Sequence, residues 1–250
     1  MEELEPKLFL VDLFNRVLGK PLAALLHLAG IEVRNPDHLL PDHVVMSLLV
    51  MISLMLFFGL ATRRLRAVPG RIQSLLEIVV GFFENLISDI IGEGGLKYLP
   101  VVGTVGIFIF ASNMIGLFPG FMSPTSKINT TFGCALVIFL YYHVQGMKAQ
   151  GVFRYLKHFM GPIPALAPLL VPIELISHFS RAVSLSMRLF GNIFAEDVII
   201  LIVGAILPFL LPLPFMAVAI FTAVVQSFVF VLLSCIYIGG AVAHEQEHAT

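Results

Sequence analysis

Charged residues are scarce in this sequence. Only 12% of its 250 residues are Asp, Glu, Lys or Arg, whereas 58% are hydrophobic and the mean hydropathy is +0.95. Soluble domains are about half apolar and about a quarter charged. The composition therefore excludes an ordinary soluble protein and predicts an integral membrane protein, with length for five or six membrane helices of about 20 residues each. The formal net charge of −1 gives no indication of a nucleic acid or other acidic partner.

Cysteine and the familiar catalytic motifs are also scarce or missing. The two cysteines, Cys134 and Cys235, lie in apolar stretches, which favours buried small side chains over a disulfide or a metal pair. The sequence contains no Gly-rich phosphate loop, no HExxH and no CxxC, so no metal or cofactor site is predicted. No internal repeat supports an inverted-repeat transporter. The acidic start lacks the basic region of a cleaved signal peptide.

Long apolar runs predict an all-α membrane protein with about five transmembrane helices. These runs cover residues 44–61, 99–118, 130–149, 173–207 and 215–242. Segment 71–91 differs, because its apolar residues recur at helical spacing and its polar residues share one stripe, which predicts an interfacial amphipathic helix. Residues 1–41 are broken by prolines and are predicted to form an outer-side or interfacial segment, whereas 42–250 form the membrane domain.

The last two predicted helices are unusually long. Because Pro172 and Pro208 enclose a stretch without proline, a helix over 173–207 is predicted. It would be about 50 Å long, against a hydrocarbon core of about 30 Å. Such a helix must tilt strongly or lie partly in the interface, and the same is expected of 215–242.

Basic residues near the span ends predict the orientation in the membrane. They follow the first span and the third span, at Arg63, Arg64, Arg66, Arg71, Lys148, Arg154 and Lys157. Since basic loops remain in the cytoplasm, the N-terminus is predicted outside and, after five crossings, the C-terminus in the cytoplasm.

The predicted helix 173–207 carries ionisable residues in its interior: Arg181, Arg188, Glu196 and Asp197. A charge deep in the bilayer costs a few kcal/mol or more, so such residues are functional candidates. At about 100° per residue, Glu174, Arg181 and Arg188 fall within roughly 40° of one another, and Asn192 lies about one turn from Arg188. Asp197 points to nearly the opposite face and Glu196 lies between. Two polar routes could therefore approach this helix from different sides.

Simpler interpretations exist for some of these charges. Arg181 could extend to the headgroups near the cytoplasmic end, and Glu196 and Asp197 could reach water near the outer end. Arg188 fits such an interpretation poorly, because mostly apolar helix flanks it on both sides and arginine stays protonated. An ion pair within the chain is the remaining structural alternative for it.

Three stretches resemble a known family. Segment 172–199, PIELISHFSRAVSLSMRLFGNIFAEDVI, closely resembles the signature of subunit a of the F-type ATP synthases. So do SNMIGLFPG at 112–120, PTSKINTT at 124–131 and the final helix with Gln226. The similarity covers roughly residues 40–243 and is carried most specifically by MRLFGN after PIEL, whereas the first 40 residues do not carry it.

The resemblance implies the stator subunit of a rotary proton channel in the bacterial inner (plasma) membrane. Such a subunit faces a ring of c subunits, each with one membrane carboxylate. Protons enter through one aqueous half-channel, travel with the ring and leave through the other. The implied partners are the c-ring, the peripheral-stalk b subunits, the rest of the ATP synthase and membrane lipids. The chain itself would be non-catalytic, with nucleotide chemistry on other subunits.

The resemblance also implies roles for individual residues. The essential arginine of the family corresponds to Arg188. Outer half-channel positions correspond to Asn192, Asp197 and Gln226, and positions toward the cytoplasmic exit to Glu174 and Ser177. Some members carry a histidine on the last helix where this chain has Ala219, and a glycine where it has Glu196, so Glu196 could supply the titratable group.

Two other classes of membrane protein compete with this interpretation. A haem-bearing electron-transfer subunit would use histidines as axial ligands. Only His178 is expected to be deep, with His143 near a span end, and no helix carries a repeated histidine pair. A secondary transporter acting alone would need its own substrate site at mid-membrane, and only the residues around Arg188 qualify.

Overall fold

The computed structural model describes residues 14–15, 40–64, 68–118, 121–159, 167–207 and 210–242. Every regular element in these ranges is helical, which confirms the all-α fold class. Most of the predicted N-terminal segment, Arg66, the prolines at 162 and 164 and the polar tail 243–250 lie outside the described residues.

The helices of the described ranges follow the apolar runs of the sequence. They are α1 (Asp42–Ala61), α2 (Arg71–Ile91), α3 (Leu99–Ile115), α4 (Ile128–Gln150), α5 (Val152–Phe159), α6 (Ala167–Ile206) and α7 (Pro212–Val242). Short 3₁₀ segments precede α3 at Glu93–Tyr98 and α4 at Pro124–Ser126. Gly92 and Gly151, with φ of 90° and 79°, follow α2 and α4, where a left-handed φ ends a helix at little steric cost to glycine.

Within the described residues, four segments are long and apolar enough to cross a membrane. They are α1, the stretch Gly94–Ile115 that contains α3, α6 and α7. Helix α4 is 23 residues long, but polar residues at both of its ends lower its hydropathy, and its crossing stays a prediction. Helix α2 carries Glu77, Glu84 and Asp89 on exposed positions.

The start of α6 corrects the sequence analysis. The predicted boundary at residue 173 rested on Pro172, but α6 begins at Ala167, contains Pro172 and runs for 40 residues. Pro172 is the sixth residue of α6, so it removes the one hydrogen bond that its own N–H would donate to the carbonyl of Pro168, and the helix continues through it. The uninterrupted helix is about 60 Å long.

The core lies where α2, α3, α4, α6 and α7 meet. It contains Phe83, Ile87, Val102, Ile109, Ile138, Tyr142, Leu185, Leu189, Phe230, Val231 and Ile238, among others. Helix α6 contributes one face only, and its other side remains exposed. This packing fixes α6 against α4 and α7, which hold the hydrogen-bond partners of His178 and Asn192.

Candidate functional site

Arg188 lies on the exposed side of α6, away from the face that packs into the core. The exposed side of α6 also carries Met187, 51% exposed, and Phe194, 48% exposed, together with the polar Ser184 and Asn192 one turn before and after Arg188. Within the described ranges, Arg188 forms no ion pair and no side-chain hydrogen bond with another residue. A permanent cation is therefore presented on an exposed surface that is mostly apolar.

Asn192 connects this surface to α7. It follows Arg188 by about one helical turn, and its Nδ2 donates a hydrogen bond to Gln226 Oε1 at 2.9 Å. Gln226 is 4% exposed, so its side chain is held between the helices. The hydrogen bond fixes the two amide groups next to Arg188, as a pair that spans α6 and α7.

The two acids further along α6 have different surroundings. Glu196 is half-buried, and its Oε2 atom is buried without a hydrogen-bond partner among the described residues. Asp197 is also half-buried, and its carboxyl group lies close to the hydroxyl of Ser126, in the 3₁₀ segment before α4. Asp197 therefore faces Ser126, on a different side of α6 from Arg188, as the helical spacing predicts.

The segment around Ser126 forms a buried polar cluster that the sequence analysis did not assign a role. Thr125 Oγ1 donates to Asn113 Oδ1 at 2.6 Å, and Asn113 Nδ2 donates to Ser227 Oγ at 3.4 Å. All of these side chains are buried. Polar residues were visible in the stretches 112–113 and 123–126, but their connection to α7 depends on a fold that brings distant segments together.

Glu174 and Ser177 lie toward the other end of α6, and both are half-buried. Glu174 Oε1 is 3.3 Å from His178 Nε2, one turn further along the helix. Along the helix axis, Glu174 lies about 21 Å before Arg188 and Asp197 about 14 Å beyond it, at a rise of about 1.5 Å per residue. Two separate polar regions thus lie on opposite sides of Arg188.

Arg181 does not simply extend to the lipid headgroups, as one interpretation of the sequence suggested. It is half-buried, and its guanidinium lies over the Tyr237 ring of α7, 5.7 Å from the ring centroid. This is the distance range of a cation–π contact. Arg181 therefore packs within the protein, while Arg188 remains on its surface.

Comparison with known proteins identifies the family. The model of the family described as ATP synthase A chain matches residues 44–239, and thus includes every polar residue described above. The ATP synthase subunit a 3 of Pelobacter propionicus is 45% identical over 236 residues, which cover 94% of this chain and 98% of the relative.

This chain belongs to the ATP synthase subunit a family.

Further relatives in the subunit a family agree. The ATP synthase subunit a of Trichlorobacter lovleyi is 43% identical over 94% of this chain and 98% of its own length. That of Geobacter sulfurreducens is 44% identical over 83% of this chain and 89% of its own length. Since the longer alignments cover 236 residues, they extend into the first 40 residues, which the sequence analysis had left outside the resemblance.

Membership in the subunit a family confirms the function predicted from the sequence. The chain is a membrane component of a bacterial ATP synthase, a complex that couples proton movement to ATP synthesis. The haem-bearing and stand-alone transporter alternatives are not favoured. The rings of His143 and His178 are in direct contact, edge to face, with centroids 5.1 Å apart and an interplanar angle of 64°. This contact leaves no space between the two rings for a haem iron.

Proposed function

We propose that this chain is the stator half of the proton channel, in which Arg188 faces the carboxylates of a c-subunit ring between two half-channels. The peripheral-stalk b subunits would hold the chain against that ring. In this arrangement the chain crosses the membrane five times, with its N-terminus outside and its C-terminus in the cytoplasm, and α6 lies tilted along the ring.

The observation that carries the proposal is the exposed Arg188 on an apolar surface. Arginine remains charged, and a charge that faces lipid is costly, so it requires a partner of opposite charge. Among the described residues none supplies one, and a second chain would do so in this proposal. A membrane helix that carries one carboxylate within an apolar surface has the chemistry to fit this face.

Glu196, Asp197, Asn192 and Gln226 would form the outer route. The Ser126 hydroxyl, which contacts Asp197, is also 2.8 Å from the carbonyl oxygen of Ser123. When it donates to that carbonyl, its oxygen can accept a hydrogen bond from protonated Asp197. When Asp197 is ionised, the hydroxyl can instead donate to it. Ser126 therefore suits a carboxyl group that gains and loses a proton repeatedly.

Glu174 and Ser177 would lie on the route to the cytoplasm. They are separated from the outer acids by about 30 Å or more along α6, and Arg188 lies between the two groups. A fixed cation at this point favours the ionised form of a passing carboxylate, so the carboxylate releases its proton before it passes. The same cation opposes direct proton passage between the routes. The driving force is about 2.3 kcal/mol per charge for each 100 mV.

Photocrosslinking tests the proposed contact. A photoreactive amino acid at Met187, 51% exposed on the Arg188 surface, is expected to crosslink to the small ring-forming subunit in the assembled complex. The control position is Met55 on α1, which is 65% exposed and equally apolar, and it should give no ring crosslink. A ring crosslink from Met55 but not from Met187 would place the ring on another surface and contradict the proposal.

A further inference from the structure

A second group of titratable side chains surrounds His178, on the Glu174 side of Arg188. His178 is buried on α6, where its Nδ1 lies 2.9 Å from the Tyr142 hydroxyl of α4 and its Nε2 lies 3.3 Å from Glu174 Oε1. Both ring nitrogens therefore have polar partners. None of the roles derived above uses His178, and a buried imidazole with two such partners is suited to proton transfer.

The partners of His178 can accommodate both of its protonation states. In the neutral ring, Nε2–H donates to the Glu174 carboxylate, which can only accept, and Nδ1 accepts from the Tyr142 hydroxyl. When a proton binds at Nδ1, the new N–H donates to the Tyr142 oxygen, while the carboxylate balances the imidazolium charge. No hydrogen bond is lost in either state, because a hydroxyl group can donate or accept.

His143 provides a second imidazole beside the first. Its Nδ1 is 2.8 Å from the carbonyl oxygen of Phe139. Since a carbonyl can only accept, Nδ1 carries the hydrogen and the Nε2 of the neutral ring is a proton acceptor. The His143 and His178 rings are in contact, at a centroid distance of 5.1 Å.

The other ionisable groups around the two imidazoles come from two further helices and from α6 itself. They are Tyr155 on α5, Tyr237 on α7 and Arg181 on α6. Burial raises the pKa of Tyr155, so its hydroxyl stays neutral. The carboxylate of Glu174 and the guanidinium of Arg181 are the permanent or near-permanent charges that flank His178. Glu174, 38% exposed at its side chain, is the member of the group that opens to solvent.

We propose that His178 holds and releases a proton on the cytoplasmic-side route, with Glu174 as its counter-charge and Tyr142 as its hydrogen-bond partner in both states. This inference rests on the proposed function. Once the Tyr142 hydroxyl has turned its hydrogen away from His178 Nδ1, a proton carried by water transfers to the lone pair of that nitrogen, and the water oxygen keeps the electron pair of the broken O–H bond. The reverse step returns the proton to water, so that no other reactant is consumed. The Glu174–His178 pair thereby keeps a proton available beside the path to the ring carboxylate.

The test is ATP-driven proton pumping in inverted membrane vesicles, where the cytoplasmic face meets the external medium. His178→Gln keeps a side-chain donor for Glu174 but cannot carry the proton. This variant should pump about tenfold more slowly. The expected loss is smaller than the ~10²–10⁴-fold rate contribution typical of a positioned proton-transfer group, because water can partly replace the imidazole. The dependence on external pH between about 5 and 8, where histidine titrates, should flatten. His43→Gln on α1 is the matched control and should leave rate and profile unchanged.

Each result decides the inference. A normal rate and an unaltered pH profile for assembled His178→Gln would overturn it, and a purely structural role would lower the amount of assembled complex without changing the profile. If His178→Gln assembles poorly, Tyr142→Phe decides, because it preserves the ring volume and removes only the hydroxyl, and an unchanged profile there overturns the inference. Pumping by Arg188→Ala is measured in parallel. If Arg188→Ala stops pumping while His178→Gln pumps normally, this inference alone is refuted. If Arg188→Ala still pumps, the proposed function is refuted.

Discussion

Glu196 and Asp197 are adjacent in sequence, but the structure gives them different environments. Asp197 has the Ser126 hydroxyl as a partner, whereas one carboxyl oxygen of Glu196 is buried without a described partner. Burying a polar atom without a hydrogen bond is unfavourable, so such an atom in a native protein calls for a functional explanation. A carboxyl group that exchanges protons along an outer route provides one.

Neutralising both acids should therefore slow proton-driven ATP synthesis. For the double variant Glu196→Gln with Asp197→Asn we expect about a tenfold loss, since positioned proton-transfer groups contribute at least this much. Assembly should persist, because both substitutions preserve size. The matched control is Glu84→Gln with Asp89→Asn, two exposed acids on α2. Full synthesis by the first variant, at normal assembly, would remove these residues from the outer route.

At the scale of helices, α3 and α7 approach closely at Gly106. A Cβ atom at this position would lie 2.5 Å from Val231 Cγ2 and 3.3 Å from Phe83 Cε1. Val231 is 1% exposed and has a branched, stiff side chain, so it has little room to move. The close approach supports the α3–α7 contact, which also holds the hydrogen bond between Asn113 and Ser227.

Gly106→Ala should destabilise the folded subunit by about 1–3 kcal/mol, the usual cost of overpacking a core. Thermal denaturation of the purified complex would measure the loss. Gly133→Ala on α4 is the control, because no atom lies within 4 Å of its added Cβ, and it should be neutral or slightly stabilising. Val231→Ala removes the obstructing methyl groups, and so Gly106→Ala should cost less in that background. Equal costs in both backgrounds would contradict the packing argument.

The positions of the helices could be predicted from the sequence, but their partners could not. Apolar runs alone indicated α1, α3, α6 and α7, since a bilayer requires about 20 apolar residues. Pro172 misplaced the start of α6, because proline near a helix start removes a hydrogen bond without ending the helix. Tyr142 and His178 are 36 positions apart in sequence, and only the packing of α4 on α6 brings them together.

At the scale of the whole molecule, Arg188 is exposed on a mostly apolar side of α6. The helical spacing of the charged residues and the family resemblance together indicated Arg188 as the central site residue. The sequence could not show that Arg181 packs on Tyr237 while Arg188 remains on the surface. Helix α6 is about twice as long as the hydrocarbon core is thick. In the proposed arrangement α6 tilts strongly where it faces the ring. An upright α6 in a bilayer-embedded structure of the assembled complex would contradict this arrangement.

The most direct measurement of the central claim is ATP-driven proton pumping and ATP synthesis by Arg188→Ala in inverted vesicles, normalised to assembled complex. We expect both activities to be lost while the complex still assembles, and passive proton leak to persist or rise because the barrier between the routes is gone. Arg188→Lys should also largely fail, since lysine lacks the planar fork and can lose its proton when buried. Arg71→Ala, at the exposed start of α2, is the control and should remain active. Near-normal coupled pumping by Arg188→Ala would mean that this arginine is structural, and would contradict its role between two proton routes.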